Sequence, residues 1–389
     1  MKLDTFLKKQ IDFTVDIELQ STFLNNQICN SNILVIGGAG TIGMNYIKEI
    51  LKFKPKKLVV VDINENGLTE LTRDLRSSEL LNYDPFFITY PVNLNSNTFD
   101  KIFYSDNFDI ISNFSAHKHV RSEKDKISVE ALIKNNVFGA IKLLNLCSKN
   151  PPKYFFSVST DKAANPVNIM GASKSLMEKL IISKKNDFRV STARFANVAF
   201  SNGSLLDGFN YRIRKKQPLS CPSDIKRFFV TPTQSGQICL LATFLGESGN
   251  IFFPKLDFKK DQVYFKDIAL DFLKDKGYCP VICNSEKEAK DYKINTSSYP
   301  IFFFKSDTSG EKSFEEFYTD SENFELKKYK SLGFIKTNNI KISFENVQKD
   351  FINIFKNNNA TKSDIVYVIK KYIPDFNHIE KGKNLDQKM

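Results

Sequence analysis

Residues 32–43 read NILVIGGAGTIG: an apolar run, a cluster of glycines, and then the opening of an amphipathic stretch. Short runs rich in Val, Ile and Phe, bounded by turn residues, fit strands buried on both faces. Glycines at 37, 40 and 43 let the chain turn tightly. They also let a diphosphate approach a helix N-terminus, where free N–H groups and the dipole favour anions. A glycine cluster alone is a weak sign, but its setting strengthens it. Asp62 closes the next apolar run, KLVVVD, nineteen residues after Gly43. A carboxylate there can accept hydrogen bonds from an adenosine ribose; taken alone, it fits equally well a cap at a strand end. The following residues, Ile63-Asn64-Glu65, supply no arginine. A 2′-phosphate would meet negative charge, so NAD is expected over NADP.

The same rhythm continues to about residue 196, with FFITYPV, FDIISNFS, KYFFSVS and RVSTARFAN as further apolar runs. Helical stretches are expected at 41–53, 65–80, 127–149 and 168–184. Strands alternating with crossover helices predict an α/β fold built on a doubly wound parallel sheet. After Asn197, Gly, Pro and Ser punctuation marks a segment inserted beyond the sheet. The expected organisation is a preamble at 1–30 and a dinucleotide-binding domain at 31–200 with a return segment at 229–258. A smaller mixed α/β substrate-binding domain follows from 201–228 and 259–340, and C-terminal helices and tail occupy 341–389. Thr361 and Asp364 form a capping box before IVYVIKKY, and Pro374 ends that helix. Only the last few residues are expected to be disordered.

The chain has 389 residues, 41% hydrophobic and 26% charged, enough for two or three domains with a real core. Its net charge of +12 is spread along the chain without a basic block, which argues against nucleic acid. The field would still draw in a phosphate-bearing substrate. Six cysteines without CxxC pairing and three histidines give no metal pattern. No run reaches the ~18 apolar residues needed to cross a bilayer, and the first residues lack a signal-peptide core. A cytoplasmic location without a membrane span is therefore expected.

Residues 159–174, STDKAANPVNIMGASK, carry the chemistry. Together with Gly37-x-x-Gly40-x-x-Gly43, Ser115-Ala-His-Lys-His-Val120, Asn135-Asn-Val-x-Gly139, Arg194-Phe-x-Asn-Val198, Arg227-Phe-Phe and Gly310-Glu-Lys312, they make the chain resemble the extended short-chain dehydrogenase/reductases. Within these it resembles the CapD-like nucleotide-sugar 4,6-dehydratases of polysaccharide biosynthesis. The resemblance implies hydride transfer from sugar C4 to NAD+, loss of water across C5 and C6, and return of hydride to C6. UDP-N-acetylglucosamine is the implied substrate and a homo-oligomer the implied assembly.

It also implies site residues. Gly37, Gly40, Thr41, Ile42, Gly43, Asp62, Asn93 and Ala116 would hold the cofactor, with Lys174 on the nicotinamide ribose. Lys118, Asn197 and Arg227 would meet the substrate, arginine suiting bidentate phosphate contact. Asp161 and Lys162 would be the acid and base of dehydration. Because adjacent strand residues face opposite ways, the strand must end before Asp161 for both to serve one site. For Lys162 to act as a base, its pKa is expected to fall from about 10.4 toward 7, a differential cost of roughly 4 to 5 kcal/mol. Asp161 is expected to be raised by burial.

Met170 occupies the place of the usual catalytic tyrosine. A thioether cannot take a hydroxyl proton. Thr160 is expected to contact the C4 hydroxyl while Asp161 or Lys162 takes its proton. Methionine also marks one catalytic branch of the family and favours retention at C5. Thr308-Ser309 stand where an arginine and proline usually precede Gly310. A nucleotide-sugar epimerase and a silent NAD-binding sensor are the competing readings.

Overall fold

The computed structural model describes residues 11–380 except 308 and 313; the side chains of residues 121 and 122 are also left undescribed. The expected disorder at the chain end falls outside the described residues. Six strands follow the apolar runs: β1 (Asn32–Ile36), β2 (Lys57–Asp62), β3 (Phe86–Pro91), β4 (Ile110–Asn113), β5 (Tyr154–Val158) and β6 (Val190–Ala193). They lie in the order β6-β5-β4-β1-β2-β3, all parallel. The strand order reverses between β1 and β4, which opens the ligand crevice of such folds at their carboxyl ends.

Alternation along these strands feeds two apolar layers. Ile33, Val35, Leu58, Val60, Ile110 and Phe156 pack on one face. Leu34, Ile36, Val59, Val61, Ile111 and Phe155 pack on the other. This is why the strands read as continuous apolar runs rather than as alternating ones.

The sheet extends beyond β6 through Ile251–Pro254, Leu332–Ile335 and Phe324–Glu325, giving nine strands. Ile251–Pro254 is parallel to β6, and Leu332–Ile335 is antiparallel to it. Residues 324–335, expected with the substrate-binding part, therefore belong to the main sheet. Phe334 packs on Phe252 with ring centroids 5.7 Å apart, which ties that edge to the core.

A second lobe has its own apolar cluster, including Phe209, Leu219, Phe272, Tyr299 and Ile301. It carries the parallel sheet formed by Cys279–Cys283, Ser298–Phe304 and Leu219–Pro222.

The helix expected over 127–149 is interrupted. Helix Lys126–Ile133 runs into a π turn, Lys134–Phe138, before helix Gly139–Lys149. An extra residue in a helical turn of this kind re-aims a side chain and is common at functional sites. Here it aims Asn136 at the segment after β4. Its Oδ1 accepts from His117 N (2.8 Å), and its Nδ2 donates to His117 O (3.0 Å).

The C-terminal helices Phe344–Lys356 and Lys362–Tyr372 pack on helix Ile169–Ile182 and its neighbours. Phe138 meets Phe351 at 6.4 Å, and Lys179 Nζ donates to Tyr372 O at 2.9 Å. The apolar stripes of 127–149 and 168–184 are thus used within one chain. The Thr361–Asp364 capping box is present, Asp364 accepting from Thr361 N at 2.7 Å.

Candidate active site

At the end of β1 the chain turns through Gly37 at φ +77°, donating Gly37 N to Val61 O (2.7 Å). A Cβ on Gly37 would lie 2.5 Å from Ser115 N, and one on Gly43 would lie 2.5 Å from Gly37 O. Only glycine fits either place. Helix Thr41–Leu51 then opens on Gly40, which brings no side-chain cap to the first turn. A helix N-terminus approached by backbone alone and left without a side-chain cap is built to receive an anion.

Asp62 closes β2 and faces this turn, accepting from Ala39 N (3.0 Å) and Asn64 N (2.9 Å). Asp62 thus braces the loop, while the cap of the next helix is Asn64, whose Oδ1 accepts from Gly67 N at 3.0 Å. Asn93 shapes the turn after β3, accepting from Asn95 N at 2.8 Å. Ala116 follows β4 and is half-buried. These residues fit a dinucleotide lying across the carboxyl ends of β1, β2 and β4.

Asn202 bridges the crevice. Its N–H donates to Thr41 Oγ1 (3.0 Å), and its carbonyl accepts from Lys118 Nζ (2.9 Å). Lys118 is exposed at this point.

β5 ends at Val158, so Asp161 and Lys162 both lie beyond the strand. Thr160 Oγ1 accepts from Lys162 N (3.4 Å) and donates to Asp161 Oδ1 (2.9 Å), opening a tight turn over Asp161–Ala163. Asp161 is 1% exposed and its N–H donates to Phe195 O at 3.0 Å. Lys162 Nζ lies 3.0 Å from Asp161 Oδ1 and 3.5 Å from Glu315 Oε1.

The pKa expected of Lys162 is corrected by this geometry. Burial alone would lower it, but the Asp161 and Glu315 carboxylates outweigh burial and hold it above the ordinary lysine value. Sequence reading counted one carboxylate beside this lysine where the structure places two.

Glu315 itself is pushed up by burial, against the pull of Lys162. Arg227 is buried too. Its Nη2 lies 3.3 Å from Glu311 and 3.6 Å from Glu315, and its Nη1 donates to the carbonyls of Lys226 and Lys312. In this state its fork is spent on protein groups.

Helix Ile169–Ile182 starts with Asn168, whose Oδ1 accepts from Gly171 N (2.7 Å) and whose Nδ2 donates to Gly310 O (2.8 Å). The buried Glu123 adds a second cap, accepting from Ile169 N, and burial raises its pKa to about 7. Lys174 is also buried, donates to Val158 O (3.0 Å), and is lowered by burial to about 8. Met170 is 2% exposed within the apolar layer that also holds Ile133 and Val137.

Arg194, from the RFANV motif, is a brace rather than an open contact. It pairs with Glu178 and Glu322 at 2.8 Å each. Glu178 in turn accepts from Ser159 Oγ at 2.5 Å.

Buried polar atoms of this site without a hydrogen-bond partner among the described residues include Asp161 Oδ2, Asn197 Nδ2, Glu315 Oε2 and Glu123 Oε1. Buried polar atoms are normally satisfied, so unpaired ones call for a role. Glu315, Glu123 and Asn136 were absent from the sequence-derived site. Asn136 lay within a recognised motif, whereas the two glutamates gain meaning only from partners distant in sequence.

The family model for polysaccharide biosynthesis proteins matches residues 33–337. The chain belongs to that family. Among curated relatives, it is 31% identical over 264 residues to an uncharacterized membrane protein of Methanocaldococcus jannaschii, covering 66% of this chain and 76% of the relative. It is 26% identical to the capsular polysaccharide biosynthesis protein CapD of Staphylococcus aureus, covering 89% of this chain and 55% of CapD. It thus spans about half of CapD's length. It is 30% identical to a UDP-N-acetylglucosamine 4,6-dehydratase (inverting) of Campylobacter jejuni, covering 58% of this chain and 67% of that enzyme. The fold matches the structure of Pen from Bacillus thuringiensis with a TM-score of 0.66 at 21% identity, covering 84% of this chain and 99% of Pen. No helix among the described residues is long and apolar enough to cross a membrane. A UDP-N-acetylglucosamine 4,6-dehydratase and a UDP-glucose 4-epimerase are both among the relatives this chain resembles.

Proposed function

We propose that the protein catalyses NAD-dependent 4,6-dehydration of a UDP-linked N-acetylhexosamine, with UDP-N-acetylglucosamine as the favoured substrate and the cytoplasm as the expected compartment. The observation that carries this reading is the buried Asp161–Lys162 pair placed together just after β5, with one Asp161 oxygen unpaired. Removing water from C5 and C6 takes a base for C5–H and an acid for the C6 hydroxyl, and this pair supplies both kinds of group.

The glycine turn, Asp62 and Lys174 would hold NAD, the absence of an arginine after Asp62 favouring it over NADP. Bound there, NAD would accept hydride from C4 and return it at C6. Asp161 would give its proton to the departing hydroxyl. Lys162, once its own proton has passed to Asp161, would take the C5 proton; the C4 hydroxyl proton, which the Met170 thioether cannot take, would pass by way of Lys162 to water. Thr160 stands beside both, and its hydroxyl would contact the C4 oxygen. Asn197, with its Nδ2 unpaired, is the group best suited to donate a new hydrogen bond to the nucleotide. Arg227 would have to exchange a carboxylate for a phosphate to contribute.

The epimerase reading is favoured by one observation: UDP-glucose 4-epimerase of Rickettsia canadensis is 36% identical over 129 residues, covering 32% of this chain and 38% of that enzyme. Incubation with UDP-N-acetylglucosamine in deuterated water separates the readings. A dehydratase gives a product lighter by one water and carrying deuterium at C5. An isomer of unchanged composition supports the epimerase, and recovery of untouched substrate supports a binding protein.

A further inference from the structure

Lys162 has more negative charge around it than an acid–base pair needs. Asp161 lies 3.0 Å away and Glu315 3.5 Å away, and both carboxylates are almost wholly buried. Arg227 lies on Glu315 at 3.6 Å and on Glu311 at 3.3 Å, while Lys312 Nζ donates to Ala164 O at 3.3 Å. Of the two cations against Glu315, the arginine keeps its proton at any accessible pH, so only Lys162 can titrate. The remaining oxygen of Glu315 has no partner among the described residues.

We infer that Glu315 is a positioning residue of this site, a second counter-ion that sets the protonation state of Lys162 independently of Asp161. Its use in turnover rests on the proposed dehydration. If Asp161 is to carry a proton for the leaving hydroxyl, it is neutral at that moment and no longer balances the lysine. Glu315 then remains to steady the charge that forms on Nζ as the C5 proton arrives. The protons balance: that of the C4 hydroxyl passes by way of Lys162 to water, one moves from C5 to the Lys162 amine, one from Asp161 to the hydroxyl that departs as water, transfer from Lys162 to Asp161 resets the pair, and water returns one to C5 as hydride reaches C6. A carboxylate that stabilises the ammonium makes the amine a stronger base.

The inference is tested on the full chain by NMR titration of 13Cε-lysine-labelled protein, with the Lys162 signal assigned by its loss in Lys162→Met. In Glu315→Gln the Lys162 midpoint should fall by about one pH unit or more. Glu315→Asp, with its charge one methylene further off, should shift the midpoint the same way but less, and gives the readout if Glu315→Gln does not fold. An unmoved midpoint in the folded variants overturns the inference. A parallel pH profile of C5 deuterium exchange on UDP-N-acetylglucosamine separates this from the proposed function. An acid limb that moves down with the midpoint supports both. A midpoint that falls while wild type exchanges no deuterium upholds the role of Glu315 and removes Lys162 from catalysis.

Discussion

Gly171 faces the carbonyl of Lys162 so closely that a Cβ at 171 would lie 2.3 Å from that oxygen. The helix that carries Met170 and Lys174 is therefore pressed directly against the turn that carries Asp161 and Lys162. Backbone atoms cannot give way as a flexible side chain can. Gly171→Ala should push helix and turn apart and misplace Asp161 and Lys162, on which the proposed dehydration rests. A loss of about 100-fold in kcat is expected from a shift of this kind, with NAD still bound. Steady-state kinetics beside cofactor titration checks this; unchanged kcat would show that the contact is slack.

Asp161→Asn keeps the shape of the side chain but cannot release a proton to a leaving hydroxyl. Under the proposed mechanism, water loss should fall by about 100-fold or more, within the range for general acids. Exchange of the C5 proton should persist. Mass spectrometry of recovered substrate from deuterated buffer reads both, and an unaltered dehydration rate would take Asp161 out of its role.

Glu123 gives a pH signature of stability. Its pKa is raised by burial from 4.5 to about 7, so the folded protein binds more protons than the unfolded chain between those values. The stability it contributes is fully present below pH 4.5 and is lost as pH rises through 7. The full loss is on the order of 3 kcal/mol. Glu123→Gln, neutral throughout, should flatten the fall in urea midpoint between pH 5 and 8. Identical slopes in both proteins would contradict this.

Arg194 joins β6, helix Ile169–Ile182 and the loop at Glu322 through buried ion pairs. Removing it leaves Glu178 buried and unbalanced. Arg194→Met should cost about 3 to 5 kcal/mol, measured by denaturant unfolding, and Glu178→Gln made in the same chain should recover part of it.

The parallel sheet was legible because each strand is buried on both faces and so appears as an unbroken apolar run. The glycine turn was legible because two of its glycines meet backbone that no side chain could pass. Asp161 and Lys162 could be read as a pair since the turn that unites them is local. Glu315 could not be read, because its meaning comes from Lys162 and Arg227, each far away in sequence. The charge on Lys162 was misjudged for the same reason. The π turn escaped as well, since its one-residue offset scarcely changes the apolar pattern of 127–149.

The C-terminal segment after helix Lys362–Tyr372 donates Asn377 N to Pro166 O and Ile379 N to Val167 O, and Gly310 N donates to Ile379 O. A ribosome makes the glycine turn at 37–43 and the loop at 166–167 well before residues 377–379. The loop just ahead of the Met170 helix therefore waits for those hydrogen bonds until a long stretch of later chain has been made.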